Sequence, residues 1–228
     1  MSIFGYQLWE IRQAYNEAGE KYEQLADIVR PDGLPLFNSP SIPDMNIDFT
    51  ALKKINPDST AWLYCPDTMI DYPVMKATDY DHYLHYMSDG TYSANGALFI
   101  DHNNAPDFSD DLTIIYGHNM KSSQMFGSLS GYKKQSYFEK HPYMYLYTED
   151  GDYRVELIYG CVVGAGEWRD RAFMYERNLD SLMSYAEHNT TFKSDVRFMP
   201  GDKVVAMSTC SYEFNDARYV VIGVLRAA

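Results

Sequence analysis

A cysteine, a histidine and an arginine are the residues whose types and placement allow chemistry in this chain. Cys210 follows the apolar run Val204-Val205-Ala206-Met207 and precedes the polar stretch from Ser211 to Ala217. A thiol at a strand end beside a loop is placed to meet a substrate, whereas a thiol inside a strand is core; packing is the commoner use of a lone cysteine. His118 stands in Tyr116-Gly117-His118-Asn119-Met120, directly after the predicted strand Leu112–Tyr116, where a glycine opens a loop. Arg218 begins the last apolar run, eight residues after Cys210, and so can face it across the intervening loop. Cysteine chemistry needs such a set: a thiolate nucleophile, a cationic neighbour that also acts as acid, and a donor for the tetrahedral oxyanion. Cys210, His118 and Arg218 fit these roles in that order.

Other clusters carry less. His82 and His85 have the spacing of a metal pair on a helix, but no third ligand lies nearby, and zinc needs three or four. Asp107, Asp110 and Asp111 lack the glycine and glutamate spacing of a calcium loop and read as a solvated turn. Cys65 and Cys161 fall inside apolar runs and read as core thiols. Three cysteines leave two options open, one disulfide with a free thiol or three free thiols. His102, His141 and His188 receive no role, and neither a metal nor a cofactor is expected.

The elements that must position the triad come next. Leu8, Ile11, Tyr15, Ala18, Tyr22, Leu25 and Val29 recur every three or four residues, so the first thirty residues predict one amphipathic helix, ended by Pro31-Asp32-Gly33. Pro35, Pro40 and Pro43 mark an irregular linker to about Asp48. Strands are predicted over Ala61–Cys65, Met69–Met75, Gly96–Asp101, Leu112–Tyr116, Met144–Thr148, Tyr153–Val163, Lys203–Ser208 and Arg218–Arg226. Short helices are predicted at Thr78–Tyr86, with Thr78 as its cap, and at Leu179–His188. About eight strands with few helices and no alternating strand–helix rhythm predict a mostly antiparallel barrel or sandwich with peripheral helices. The domains are expected to be a packed N-terminal helix, residues 1–31, and a catalytic β domain, residues 32–228.

Composition sets the outer bounds. The 228 residues include 19 Lys+Arg against 32 Asp+Glu, a formal charge of −13. An acidic chain without a basic tract is a poor nucleic-acid binder. With 46% hydrophobic and 22% charged residues the chain is neither disordered nor of low complexity. The longest apolar stretches fall short of the roughly 18 residues of a membrane span. The 21 tyrosines lie in no stripe and read mostly as strand residues.

Two motifs then meet a known pattern. Thr113-Ile114-Ile115-Tyr116-Gly117-His118-Asn119-Met120 and Ser208-Thr209-Cys210-Ser211-Tyr212-Glu213-Phe214, followed by Arg218, resemble the sortases, and class B in particular. Trp62-Leu63, Ile70-Asp71-Tyr72-Pro73-Val74, Gly96-Ala97-Leu98-Phe99-Ile100-Asp101, Met125-Phe126-Gly127-Ser128-Leu129 and His141-Pro142 extend the likeness over about residues 48–226. One departure stands out: Ala206-Met207 occupies the place where the family usually has Thr-Leu, a change expected to tune the groove.

The resemblance implies a sortase-like antiparallel or mixed β-barrel of about eight strands. It implies a cysteine transpeptidase on the outer face of a Gram-positive cell, held by a single N-terminal anchor ahead of residue 1. Its partners would be surface proteins bearing a C-terminal sorting signal of N-P-x-T or related type, and a cell-wall precursor amine. Cys210 would attack the Thr carbonyl, His118 would protonate the leaving amine, and Arg218 would steady the oxyanion. Ser208, Thr209, Tyr212 and Glu213 would shape the groove by analogy, and Asn119 would orient His118 or satisfy the loop backbone. Two alternatives stand beside it. An L,D-transpeptidase would place an Arg two residues after its Cys, where this chain has Tyr212; a β-rich surface adhesin would need no reactive thiol.

Overall fold

The structure, a computed structural model, describes residues 3–30, 32–33, 42–168 and 179–227. Eight strands close into a barrel: β1 (Ser59–Tyr64), β2 (Asp71–Lys76), β3 (Leu98–Ile100), β4 (Leu112–Tyr116), β5 (Tyr143–Thr148), β6 (Gly151–Gly164), β7 (Val204–Cys210) and β8 (Ala217–Ala227). Their order around the barrel is β1-β2-β3-β4-β7-β8-β6-β5, with β5 returning to β1. Most neighbours are antiparallel, but β2–β3 and β4–β7 run parallel. The barrel is therefore mixed, and its two parallel pairs need long crossovers.

The β4–β7 pair matters most for function. Tyr116 lies opposite Ser208 across this parallel ladder, which brings the exit of β4 beside the end of β7 despite some ninety residues of intervening chain. On the other side of β7, Cys210 lies opposite Arg218 of β8. Alternation sets the faces. Val205 and Met207 point into the main core with Ile115 and Val221. Val204 and Ala206 point outward, into a second apolar layer with Ile114, Val220 and Leu182 of a covering helix, α6 (Leu179–Asn189). Ser208 and Cys210 continue that outward row. Both faces of β7 are buried over most of its length, so it reads as a continuous apolar run rather than an alternating one.

The N-terminal helix, α1 (Ile3–Val29), buries Ala18, Tyr22, Leu25, Ala26 and Val29, the C-terminal part of the stripe seen in the sequence. Tyr22 donates its hydroxyl to the Gly96 carbonyl at 2.7 Å and meets Tyr72 edge-on. Just past the helix, Arg30 makes a two-pronged pair with Asp71 at 2.9 and 2.8 Å, and the Trp62 indole donates to the same carboxylate at 2.6 Å. Pro31, Pro35 and Pro40 lie outside the described residues.

Several expectations change in detail. The helix predicted over Thr78–Tyr86 is one turn, α3 (His82–His85). Thr78 does not cap it; the Asp79 carboxylate accepts from the Asp81 and His82 amides at 2.8 Å each and holds the preceding residues in a turn. A helix absent from the sequence reading, α2 (Phe49–Ile55), starts on an Asp48 side chain that accepts from the Ala51 amide. Also unforeseen are a 3₁₀ helix (Gly127–Lys133), α4 (Gln135–Phe138) and α5 (Ala165–Trp168). β7 runs two residues further than expected, so Cys210 is the last strand residue rather than part of the loop. Its ladder partners in β8 hold it there.

Candidate active site

Cys210, His118 and Arg218 line one cleft on the outer face of the barrel, about 590 Å³ with its open mouth. Leu84, Tyr116, Trp168 and Ser208 complete much of its wall. Each of the three candidate side chains arrives from a different element: Cys210 from the end of β7, Arg218 from the start of β8, and His118 from the loop leaving β4.

The loops that carry them are tied to one another. The Gly117 amide donates to the Ser208 carbonyl, and the Thr209 hydroxyl donates back to the Gly117 carbonyl at 2.8 Å. Asn119 donates its side-chain amide to the Cys210 carbonyl at 2.7 Å. Asn119 therefore fixes the peptide that follows the thiol, not the His118 ring. Gly117 has a packing reason, since a β-carbon there would stand 2.4 Å from Leu98 Cδ2 and 2.8 Å from the Phe126 ring. Beyond His118 the chain folds back at once: Phe126 donates to the His118 carbonyl, and Asn119 bridges to Met125. Met125 and Phe126 are fully buried, so the histidine loop is anchored at both ends.

His118 Nε2 lies 2.8 Å from the Leu84 carbonyl at the end of α3. A carbonyl only accepts, so Nε2 carries a proton there, and Nδ1 is the nitrogen left for proton exchange. This contact gives α3 a purpose: its turn presents an acceptor to the imidazole. Above it, buried Asp101 accepts from the hydroxyls of Tyr80 and Tyr116 at 3.0 Å each, fixing two rings of the cleft wall. Arg218 donates to the Ala217 carbonyl, which holds one arm of the guanidinium close to its own backbone.

The segment after Cys210 is held from outside the cleft. Lys133, at the end of the 3₁₀ helix, donates to Ser211 Oγ at 2.9 Å, pairs with Glu213 and lies 5.0 Å over the Tyr219 ring. Ser211 also donates to Glu213. Burial alone would raise the Glu213 carboxyl, but hydrogen bonds from Lys133 and Ser211 outweigh it and bring it down to about 2. Tyr212 is 81% exposed, and neither it nor Glu213 lines the cleft. Thr209 is buried with its hydroxyl committed to Gly117, which makes it a tie between loops.

The other thiols differ in kind. All three cysteines are free. Burial pushes the Cys65 thiol up to about 11 and the Cys161 thiol up to about 12. Cys210 is the half-buried one. His82 stacks on Tyr86, and His85 faces Asp81. Among the described residues no group of three or more His, Cys, Asp or Glu side chains is placed to hold a metal ion.

Sequence reasoning missed Leu84, Asp101, Lys133 and Trp168. Leu84 acts through a backbone carbonyl, which leaves no trace in residue type. Asp101 did leave a signal, a carboxylate ending the apolar run Ala97–Ile100.

Comparison with known proteins identifies the family of the chain and of its fold. The sortase domain family matches residues 63–226. The sortase B of Listeria monocytogenes serovar 1/2a is 30% identical over 178 residues, 76% of this chain and 72% of that protein. The structure of Clostridium perfringens sortase B superposes with a TM-score of 0.70 at 29% identity, over 78% of this chain and 98% of that one. The structure of Bacillus anthracis sortase B in complex with AAEK1 gives 0.78 at 26% identity, over 95% and 99%. The chain belongs to the sortase family, within class B, and is a cysteine transpeptidase of a family associated with the cell surface. The adhesin and L,D-transpeptidase readings give way to it.

Proposed function

We propose that the chain cuts a C-terminal sorting signal of N-P-x-T or related type after its threonine and transfers the upstream protein to an amine of a cell-wall precursor. The observation that carries this is the shared cleft in which Cys210 faces Arg218 across β7–β8 while His118 enters from the adjoining β4 exit. The Cys210 thiolate adds to the threonine carbonyl carbon, and the oxyanion that forms is met by the Arg218 guanidinium. The tetrahedral adduct collapses, the C–N bond breaks, and His118 gives its proton to the departing amine. A thioester between the threonine and Cys210 remains. The incoming amine attacks that thioester, its surplus proton passes to His118, and the Cys210 thiolate leaves.

Asn119 and Thr209 are positioning residues in this scheme, since one holds the Cys210 carbonyl and the other locks β7 to the histidine loop. Among the described residues no helix is long and apolar enough to cross a membrane. An anchor ahead of residue 1, continued by α1 toward the barrel, is the arrangement we infer from the family.

The test is chromatographic. Peptides with N-P-Q-T-N, N-P-x-T-G, S-P-x-T-G and L-P-x-T-G cores are incubated with the protein and an excess of a glycine-based amine. Cleavage after threonine with a new amide to the added amine supports the reading and names the signal. Intact peptides throughout would contradict it.

A further inference from the structure

The wall of the Cys210 cleft carries two buried polar atoms that no described residue satisfies. Ser208 and Trp168 are each 1% exposed, both line the cleft, and neither Ser208 Oγ nor Trp168 Nε1 has a hydrogen-bond partner among the described residues. Several other polar groups of the wall are committed. Thr209 is spent on Gly117, Tyr80 and Tyr116 on Asp101, and His118 Nε2 on Leu84. Buried groups left without a partner lose their hydration and gain nothing back, so a protein keeps few of them. Two on one wall of a reactive cleft point to a ligand that completes them.

Their position follows from the strand register. Ser208 precedes Cys210 by two residues on the same face of β7, between Tyr116 of β4 and Val220 of β8. That spacing puts it about 7 Å from the nucleophile's row. Trp168 ends α5 and packs into the outer apolar layer with Ala206 and Val220. The two polar atoms thus sit in an otherwise greasy wall.

The chemistry of the pair narrows the ligand. An indole N–H only donates, and a serine hydroxyl both donates and accepts. Among the described residues the lining includes no carboxylate to receive a cation, and its one guanidinium, Arg218, stands at the Cys210 row. Among the neutral groups of a peptide, an amide supplies an acceptor for the indole together with a donor or acceptor for the hydroxyl.

We propose that Trp168 and Ser208 form an amide-reading subsite, in which an amide of the acyl half of the signal accepts from Trp168 Nε1–H and donates to Ser208 Oγ. The amide is either a side-chain carboxamide or a main-chain peptide unit. This rests on the transpeptidase reading above and says which polar group of the signal the cleft selects. A site built to hydrogen-bond a substrate group discriminates strongly against an analogue lacking it, because its own groups are then left unpaired.

The experiment measures kcat/KM for acylation of Cys210 by the panel peptide that acylates it fastest. It is compared with versions in which each side chain upstream of threonine is replaced by leucine, and versions in which each upstream peptide bond is an ester. All are run on wild type, Ser208→Ala and Trp168→Phe, with thermal unfolding of each protein alongside. The expected result is a loss of about tenfold or more in each variant with the parent peptide. One altered peptide should show the same loss on wild type and no further loss on the variants. A leucine peptide in that position identifies a side-chain amide, and an ester peptide identifies a backbone amide. Ser208→Ala should unfold no earlier than wild type, because its hydroxyl has no partner to lose. Equal losses with every peptide, or none, would overturn the subsite while leaving the transpeptidase standing. No acylation by any panel peptide would overturn both.

Discussion

Cys210 is set apart from the other two thiols by burial. With Cys65 near 11 and Cys161 near 12, neither presents a thiolate at neutral pH, and neither is open to a reagent. Iodoacetamide on the folded protein at pH 7.5 is expected to label Cys210 alone, with all three labelled after denaturation. Peptide mapping checks this, and comparable labelling of Cys161 in the folded state would contradict it. The supporting residues divide by the step they serve. His118→Ala is expected to lower kcat by about 10²–10⁴-fold, the usual worth of a positioned acid and base. Arg218→Met should lower it by about 10²–10³-fold with little change in KM, as removal of an oxyanion donor does. A large rise in KM at unchanged kcat would instead make Arg218 a binding residue. These roles could be proposed from the sequence because nucleophile, acid and cation are distinctive residue types at strand ends. The Leu84 carbonyl was not, because any residue supplies one.

Among the elements, α1 and the segment after Cys210 are each fastened by charge. The Arg30 side chain is 7% exposed and depends on Asp71, which also receives the Trp62 indole. Asp71→Ala leaves a guanidinium buried without its partner and should cost about 3 kcal/mol of stability. Thermal unfolding measures this, and proteolysis between α1 and the barrel should accelerate in the variant. An Arg30→Met/Asp71→Leu double variant should recover most of the loss, since apolar groups replace the pair without stranding a charge. The Lys133–Glu213 contact has a pH signature. The Glu213 carboxyl lies at about 2 in the folded chain against an ordinary 4.5, so the contact contributes fully above about 4.5 and is lost as pH falls through about 2. Lys133→Met removes the cation, and the Glu213 titration observed by carboxyl NMR should move up toward 4.5. An unmoved midpoint would show that Ser211 alone holds it.

Helices and strands were not equally legible. α1 announced itself through a long stripe at helical spacing, and β4 through a run of branched side chains. The one-turn α3 did not. Its start is set by an Asp79 side chain rather than by periodicity, and four residues give no pattern to count.

At the scale of the molecule, the site exists because β4 and β7 are parallel neighbours. No local pattern states that pairing; it joins segments some ninety residues apart and is decided by packing of the closed barrel. The sequence could therefore predict a strand-rich barrel or sandwich and name three residues that the structure brings to one cleft, while the strand order waited on the structure. Contacts between the two loops then turn the pairing into a rigid site, through Thr209 to Gly117 and Asn119 to Cys210. Asn119→Ala should slow acylation about fivefold to tenfold, the worth of one hydrogen bond, while thermal stability changes little. The central claim is that Cys210 carries the acyl group in a cleft shared with His118 and Arg218. Intact-mass measurement after mixing protein and signal peptide tests it most directly. The account predicts a mass gain equal to the peptide's segment up to threonine, absent in Cys210→Ala and discharged by an added amine. Cleavage by Cys210→Ala at the wild-type rate would contradict it.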